Sequence, residues 1–199
     1  EINAWRGDRH ILRDVSFSVR PGEFLKVTGP NGVGKTTLLR VICGLLPAET
    51  GELWWRGQSV RGRRDEFNFE LGHLGHLNSL KGDLTARENL KFLAGLRTTL
   101  TAQTIDATLD RVGILSRGDL PARSLSAGQK RRLALARLLL ADAALWILDE
   151  PVTNLDTAGI RLVEELIVDH VEHGGLAIAA AHQRLLDDAP CLRRLELEP

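Results

Sequence analysis

Short apolar runs along the chain predict buried strands. Residues 24–28 form a mostly apolar run that leads into a glycine cluster, and residues 145–148 and 176–181 contain no charged side chain. Runs of this length between turns are typical of strands in a parallel sheet that is covered on both faces. Near the amino terminus, residues 2–5 and the alternating apolar positions of 15–19 predict two more strands.

Apolar positions with helical spacing lie between these runs. Residues 35–44 predict a helix directly after the glycine cluster, and residues 84–113 predict two helices and no strand. A returning strand is expected at 51–55 and a polar, Arg-rich loop at 56–64. The apolar positions of the two helices are Leu90, Phe92, Leu93 and Leu96 in the first, and Ile105, Leu109 and Val112 in the second.

Ser126 marks the predicted start of a third helix. Gln129 follows at the spacing of a capping box, in which each side chain accepts a hydrogen bond from the backbone N–H of the other residue. The alternation of strands and helices favours a single α/β domain with a parallel sheet over residues 1–199. We expect 1–76 and 136–199 to form its core and about 77–135 to form a helical insertion.

Composition excludes several classes of protein. The 199 residues are 43% hydrophobic and carry 26 acidic and 26 basic side chains, so we expect no nucleic-acid partner, because a dedicated nucleic-acid binder is strongly positive. No uncharged apolar run reaches the roughly 18 residues of a membrane-spanning helix. Cys43 and Cys191 are too few for a disulfide framework or a four-ligand zinc site, which favours a reducing compartment.

A phosphate-binding pattern follows the first buried run. Residues 29–36 read G-P-N-G-V-G-K-T and match G-x-x-x-x-G-K-[ST] at every specified position. In this pattern the glycines let backbone N–H groups surround phosphate oxygens, Lys35 reaches the outer phosphates, and the Thr36 hydroxyl binds Mg²⁺. A plain glycine turn between strand and helix is the alternative. The predicted nucleotide-binding residues here are Gly29, Pro30, Asn31, Gly32, Val33, Gly34, Lys35, Thr36 and Thr37.

Two adjacent carboxylates follow the apolar run at 145–148. Asp149 is placed to hold Mg²⁺ through water, and Glu150 is placed to act as the general base toward an attacking water. By itself, an Asp-Glu-Pro turn after a strand is also ordinary loop chemistry. The phosphate loop in the same chain favours the catalytic interpretation.

Three further motifs resemble those of ATP-binding-cassette (ABC) ATPases. L-S-A-G-Q at 125–129 resembles the family signature L-S-G-G-Q, N-L-D at 154–156 resembles the D-loop, and His182 after Ala181 resembles the switch histidine. The resemblance covers nearly the whole chain. It implies an α/β fold of the P-loop NTPase class and ABC ATPase type, with a mixed-sheet core, an antiparallel β subdomain and an inserted helical subdomain.

The resemblance also implies that a second copy of the chain completes the ATP site. In the family, two domains face each other head to tail, and ATP on the phosphate loop of one copy is covered by the signature residues of the other. Here those residues would be Ser126, Ala127, Gly128 and Gln129. His182 would contact the γ-phosphate and link it to Glu150 and, across the dimer, to Asp156. ATP and Mg²⁺ are the implied cofactors.

Two positions depart from the family pattern. The family usually has Gln eight residues before an L-T-x-x-E-N-L segment, which here is L-T-A-R-E-N-L at 84–90, and that position is His76. A neutral imidazole can accept from water or bind a metal, so we expect His76 to sense Mg²⁺ and the attacking water. For the aromatic residue that stacks on adenine, Trp5 is nearby but ungapped spacing indicates Arg6, and a partly buried strand Trp is a third interpretation.

Within the family, the chain resembles the ATP-binding subunits of the bacterial heme exporter used in cytochrome c maturation. The resemblance lies in L-G-H at 74–76, the segment from Leu80 to Leu90, L-S-A-G-Q and A-L-W-I-L-D-E-P. It implies a peripheral ATPase on the cytoplasmic face of the inner membrane, bound to separate integral-membrane subunits. A cassette of another importer or exporter is one alternative, and a soluble non-transport cassette protein is the other.

Overall fold

A computed structural model of the chain describes residues 1–94 and 100–198. Within these residues the strands are β1 (Ile2–Arg6), β2 (Arg9–Val15), β3 (Phe24–Thr28), β4 (Trp54–Trp55), β5 (Gln58–Ser59), β6 (Leu71–Leu74), β7 (Leu145–Asp149), β8 (Leu176–Ala180) and β9 (Leu192–Glu196). The helices are α1 (Lys35–Ile42), α2 (Arg64–Phe69), α3 (Ala86–Ala94), α4 (Ala102–Arg111), α5 (Ala127–Leu140) and α6 (Thr157–Glu172). None of these helices combines the length and the apolar character needed to cross a membrane.

Five parallel strands form the central sheet in the order β6-β7-β8-β3-β9. Every residue of β7 and β8 is buried, and alternate side chains enter two core clusters, one packed with α1 and the other with α5 and α6. The predicted strands at 24–28, 145–148 and 176–181 are therefore confirmed, because coverage of both sheet faces selects continuous apolar runs. Parallel strands end at the same edge, which is where open α/β sheets bind ligands.

Two antiparallel pairs, β1 with β2 and β4 with β5, lie beside the parallel sheet. The predicted strand at 15–19 is wrong. β2 ends at Val15, and the described residues 16–20 form no strand. Phe17 and Val19 instead pack against the core from a segment that is neither helix nor strand. Alternate burial on a core produces the same pattern as a half-buried strand, so the pattern alone does not separate the two.

Several elements are shorter than predicted or were not predicted. The expected strand at 51–55 is reduced to β4, and the expected loop at 56–64 contains β5 and the first residue of α2. β9 was missed because three of its five residues are exposed at the sheet edge, so it has no apolar run. β6 was missed because Gly72 and His73 interrupt its apolar pattern, and α6 was also not predicted.

Helices α3, α4 and α5 pack against one another. Four of the predicted apolar positions are buried between them, namely Leu90, Ile105, Leu109 and Val112. Phe92 is instead 48% exposed, with Lys81 Nζ 4.7 Å from its ring centroid. The Leu93 side chain and Leu96 lie outside the described residues. In the described part of 84–113 no strand occurs, as predicted.

The predicted capping box at the start of α5 is confirmed. Ser126 Oγ accepts from the Gln129 backbone N–H at 3.2 Å, and Gln129 Oε1 accepts from the Ser126 backbone N–H at 3.0 Å. Ser126 and Ala127 are both exposed. The amino end of this 14-residue helix, with its positive dipole end, therefore faces solvent.

Candidate functional site

A cleft of about 850 Å³ opens at the edge where β3, β7 and β8 end. Residues that are far apart in the chain meet there, because each follows or ends a strand of the same sheet. The predicted site residues in its lining are Asn31, Gly32, Gly34, Lys35, Thr36, Thr37, His76, Asp149, Glu150 and His182. Residues in the lining that were not predicted are Arg9, Ile11, Thr153 and Gln183.

The loop between β3 and α1 depends on glycine at two positions. Gly29 has a φ of 134°, and a Cβ atom there would lie 2.5 Å from the Leu197 carbonyl oxygen. Gly34 has a φ of 118°, and a Cβ atom there would lie 2.8 Å from the Ile11 side chain. Any other residue would therefore strain the backbone and displace the loop. Helix α1 begins directly after Gly34 without a side-chain cap, so its first N–H groups can serve an anion.

Lys35 is buried at the start of α1 and folds back over the loop. Its Nζ donates hydrogen bonds to the carbonyl oxygens of Gly29 at 2.7 Å and Pro30 at 2.9 Å. Burial lowers the pKa of Lys35, while the nearby carboxylates of Glu150 and Asp149 act in the opposite direction. A partly desolvated ammonium group is thus held at the loop, where it can attract phosphate oxygens.

Thr36 and Asp149 bring a hydroxyl and a carboxylate together. Thr36 Oγ1 donates to Asp149 Oδ1 at 3.1 Å, and Asp149 is buried at the end of β7. Among the described residues, no three His, Cys, Asp or Glu side chains cluster closely enough to hold a metal by themselves. Mg²⁺ usually binds one or two protein oxygens together with waters and substrate phosphates, so this pair fits Mg²⁺ that arrives with a nucleotide.

Glu150 directs its carboxylate toward His182. Its backbone has a φ of 51°, and its N–H donates to the Ala180 carbonyl oxygen at 2.8 Å. The His182 backbone N–H donates to Glu150 Oε2 at 3.4 Å, and His182 Nε2 lies 3.5 Å from Glu150 Oε1. The carboxylate is only 17% exposed, and it lies between the ends of β7 and β8. Such a carboxylate is placed to accept a proton from water in the cleft.

His76 and the candidates for base stacking lie at the borders of the cleft. His76 is exposed just after β6 and lines the cleft. Arg6 also lines it, whereas Trp5 lines an adjoining cleft of about 510 Å³ that contains Pro30 and Val33. Trp5 stacks on His10 with ring centroids 4.2 Å apart, and 47% of its surface is exposed. Both Trp5 and Arg6 are thus near the phosphate loop.

The signature segment and Asp156 lie outside this cleft. A Cβ atom on Gly128 would be 3.0 Å from the Asn154 carbonyl oxygen, so the signature segment packs on the N-L-D segment. Asp156 caps α6 by accepting from the Gly159 backbone N–H at 2.8 Å, and 75% of its side chain is exposed. The structure of one copy therefore does not bring Ser126, Ala127, Gly128, Gln129 or Asp156 to the phosphate loop.

Arg131 is the main residue near the site that was not predicted. It is buried in α5, and its Nη2 donates to the backbone carbonyl oxygens of Asp149 and Glu150. Helical spacing places Arg131 on one face with the buried residues Leu135 and Leu138. A charged residue on an apolar helix face was the available signal.

The family described as ABC transporter matches residues 12–153. This range contains the phosphate loop, the L-S-A-G-Q segment and both carboxylates at the end of β7. The chain belongs to the ABC transporter family. As a member of this family it binds nucleotide, and it hydrolyses ATP in a reaction that is coupled to transport.

Two relatives show how far the similarity extends. The chain is 41% identical over 197 residues to the cytochrome c biogenesis ATP-binding export protein CcmA of Vibrio vulnificus, covering 98% of this chain and 96% of that protein. It is 48% identical over 182 residues to CcmA of Nitrosococcus oceani, covering 90% of this chain and 82% of that protein. The similarity to these ABC proteins therefore includes the parts of the chain on both sides of the family match.

Solved structures of ABC proteins have the same fold. The ATP-binding subunit of an ABC transporter superimposes with a TM-score of 0.84 at 22% identity, covering 100% of this chain and 86% of that chain. An ATP-binding cassette solved as a dimer in a post-hydrolysis state with ADP and Pi gives a TM-score of 0.81 at 21% identity, covering 100% and 94%. The expected ABC ATPase fold is confirmed, with a parallel central sheet, separate antiparallel strand pairs and packed helices.

Proposed function

We propose that this ABC protein is the ATP-hydrolysing subunit of an exporter that serves cytochrome c biogenesis. The observation that carries the ATPase part is the single cleft that joins the phosphate loop to Asp149, Glu150 and His182. The exporter part is supported by the CcmA relatives, among which the Vibrio vulnificus protein is similar over 98% of this chain. In the subfamily that the sequence resembles, the exporter is the heme exporter of cytochrome c maturation.

The loop and its lysine would bind the phosphates of ATP. The backbone N–H groups at the start of α1 and the Lys35 ammonium converge on one side of the cleft, where they provide the donors and the positive charge that phosphates need. Thr36 and Asp149 would hold Mg²⁺, which when bound supplies charge that neutralises the phosphate oxygens. Trp5 or Arg6 would stack on the adenine.

Glu150 would act as the general base of hydrolysis. Its low exposure and its contacts with His182 hold the carboxylate at the cleft, so that Oε1 or Oε2 can take the proton of an attacking water. His182 would contact the γ-phosphate and keep the carboxylate aligned. His76, which lies across the same cleft, would sense the water and the metal in place of the usual glutamine.

A second copy of the chain would complete the site. Besides the two N–H groups that the capping box uses, the exposed amino end of α5 offers further backbone N–H groups and the positive end of a helix dipole, which suit a γ-phosphate. Because Ser126, Ala127, Gly128 and Gln129 lie outside this copy's own cleft, they are free to cover nucleotide on a partner copy. Asp156, which is mostly exposed, would meet His182 across the same interface.

Separate integral-membrane subunits at the cytoplasmic face of the inner membrane would receive the conformational change. We infer that residues at about 77–135 form a helical subdomain inserted into a core of 1–76 and 136–199. ATPase subunits of other importers or exporters would share the same site chemistry, so only the membrane partner separates these functions. A non-transport role on nucleic acid is disfavoured by the balanced charge.

We expect the tagged protein to co-purify with membrane subunits of a cytochrome c biogenesis exporter. Glu150→Gln protein would be extracted from membranes in mild detergent with ATP, and its partners would be identified by mass spectrometry, with ADP as the control. Recovery of the subunits of a different transporter would refute the exporter assignment. Recovery of no integral-membrane protein would favour the non-transport alternative.

We expect His76→Ala to lower kcat about tenfold and to raise the Mg²⁺ concentration needed for half-maximal turnover. Loss of a residue that contacts a metal's ligands or bound water typically lowers metal affinity or activity by at least about tenfold. His76→Gln should keep most of the activity, since an amide can still accept from water. The matched control is His173→Ala, which changes an exposed imidazole at the end of α6. Unchanged turnover and Mg²⁺ dependence in His76→Ala would refute the proposed role of His76 in sensing the water and the metal.

A further inference from the structure

Arg131 makes an unusually complete set of hydrogen bonds beneath the cleft. It lies in α5 with 3% of its surface exposed. Its Nε donates to the Pro151 carbonyl oxygen at 3.1 Å, and its Nη2 donates to the carbonyl oxygens of Asp149 at 2.8 Å and Glu150 at 2.7 Å. One guanidinium therefore binds three successive carbonyl groups at the end of β7.

These three carbonyl groups form the turn that presents the Glu150 carboxylate. Glu150 has a φ of 51°, a left-handed conformation that a residue with a side chain keeps only when its surroundings hold it. Arg131 binds the carbonyl groups before, at and after this residue. The direction of the Glu150 carboxylate toward His182 consequently depends on Arg131 as well as on the backbone bond to Ala180.

The remaining donors of Arg131 hold the segment around His76. Nη1 donates to the Gly75 carbonyl oxygen at 2.8 Å and to Asn78 Oδ1 at 3.0 Å. These two acceptors lie on either side of His76 in the sequence. All five N–H donors of the guanidinium are thus used, and they join two edges of the cleft to one helix.

The positive charge of Arg131 is buried beside the Asp149 and Glu150 carboxylates. Burial lowers the pKa of Arg131 to about 10, and the Asp149 and Glu150 carboxylates oppose that effect. The guanidinium remains protonated at neutral pH. A buried charge is costly in free energy unless it is well hydrogen-bonded. The five hydrogen bonds of Arg131 need a planar group with five donors, and lysine offers only three donors on a single nitrogen.

We propose that Arg131 is a positioning residue for ATP hydrolysis, which ties the start of α5 to the Glu150 turn and to the His76 segment. The inference rests on the proposed function, because the direction of Glu150 matters only if this carboxylate activates water. Ser126, the N-cap residue of α5, would cover nucleotide on a partner copy. A displacement of α5 on dimer closure would therefore reach this copy's own Glu150 and His76 through a single side chain.

The first test is the effect of Arg131→Lys on kcat and on nucleotide affinity. We expect kcat to fall at least about tenfold, in the range that follows loss of catalytic alignment, with KM and the Kd for ATP within about threefold of the parent. The matched control is Arg137→Lys in the same helix, because Arg137 is partly buried and donates to the His73 carbonyl oxygen at 3.1 Å. Its kcat should stay within about twofold of the parent, since it does not contact the Glu150 turn. Parental kcat in Arg131→Lys would overturn the proposal.

A double-mutant cycle separates positioning from general destabilisation. In single-turnover assays, adding Arg131→Lys to the parent should lower the rate of ATP hydrolysis at least about tenfold. Adding it to the Glu150→Gln variant should lower that rate by less than about twofold, because Arg131 acts through the Glu150 carboxylate. Equal fold-losses in the two backgrounds would refute this action. If the parent itself hydrolysed no ATP, the proposed function would fail independently of Arg131.

Asn78→Ala keeps the proposal testable if Arg131→Lys does not fold. Asn78 is partly exposed, and its Oδ1 is only one of the five acceptors, so the variant should melt near the temperature of the parent. We expect a fall in kcat of about two- to fivefold with unchanged Kd for ATP, because the other four hydrogen bonds of Arg131 remain and a single hydrogen bond usually contributes little net free energy. Unchanged kcat would show that the His76 segment is not held through Arg131 and would overturn that half of the proposal.

Discussion

Glu150→Gln should reduce steady-state ATP hydrolysis at least about 100-fold, because general-base catalysis typically contributes 10²- to 10⁴-fold. Glutamine has nearly the same shape, so the turn at the end of β7 and its bonds to Arg131 should persist. ATP affinity should remain within about threefold of the parent, since Lys35 and the loop are unchanged. Phosphate release and equilibrium nucleotide binding would be measured on the same preparation.

The control for this variant is Glu165→Gln, which changes an exposed carboxylate on α6 away from the cleft. Its turnover should equal that of the parent. Hydrolysis at the parental rate in Glu150→Gln would mean that another group takes the proton. A joint loss of hydrolysis and ATP binding would mean instead that Glu150 supports the nucleotide site and does not act as the base.

Lys35→Met should weaken ATP binding by about ten- to a hundredfold, because hydrogen bonds to charged groups contribute about 1.5–3 kcal/mol. Methionine keeps the length of the side chain and removes the ammonium group that binds Gly29 and Pro30 over the loop. The Kd for ATP with Mg²⁺ would be measured by titration calorimetry. A melting curve would show whether the variant is folded.

The control for Lys35→Met is Lys91→Met, which changes an exposed lysine on α3. We expect its affinity for ATP to match that of the parent. If Lys35→Met bound ATP as tightly as the parent while remaining folded, the loop at 29–34 would not be the phosphate site. The assignment of the cleft would then be lost, whatever the result for Glu150.

Local patterns explain why the centre of the fold and much of the cleft could be predicted. Residues 24–28, 145–148 and 176–181 are apolar because both sheet faces are covered, and this condition is visible in short windows of sequence. The loop at 29–36 is equally local, since its glycines and Lys35 act within a few residues of one another. Prediction therefore succeeded where neighbours in sequence are neighbours in space.

The remainder depends on partners that are distant in sequence. β9 has a polar pattern because it lies at the sheet edge, and its position beside β3 appears only in the fold. Arg131 was missed because Gly75 precedes it by 56 residues and Glu150 follows it by 19. The strand predicted at 15–19 was wrong for a related reason, since the apolar side chains of this segment pack on the core without a partner strand.

The mass of the Glu150→Gln variant in ATP tests most directly whether a second copy completes the site. Light scattering after gel filtration should give twice the 21.9 kDa of one chain with ATP and Mg²⁺, and the mass of one chain with ADP. Adding Ser126→Asp, which keeps a good helix cap but places negative charge against the partner's γ-phosphate, should abolish the ATP-dependent dimer. The same mass in ATP and ADP, or an equally stable dimer with Ser126→Asp, would contradict the account.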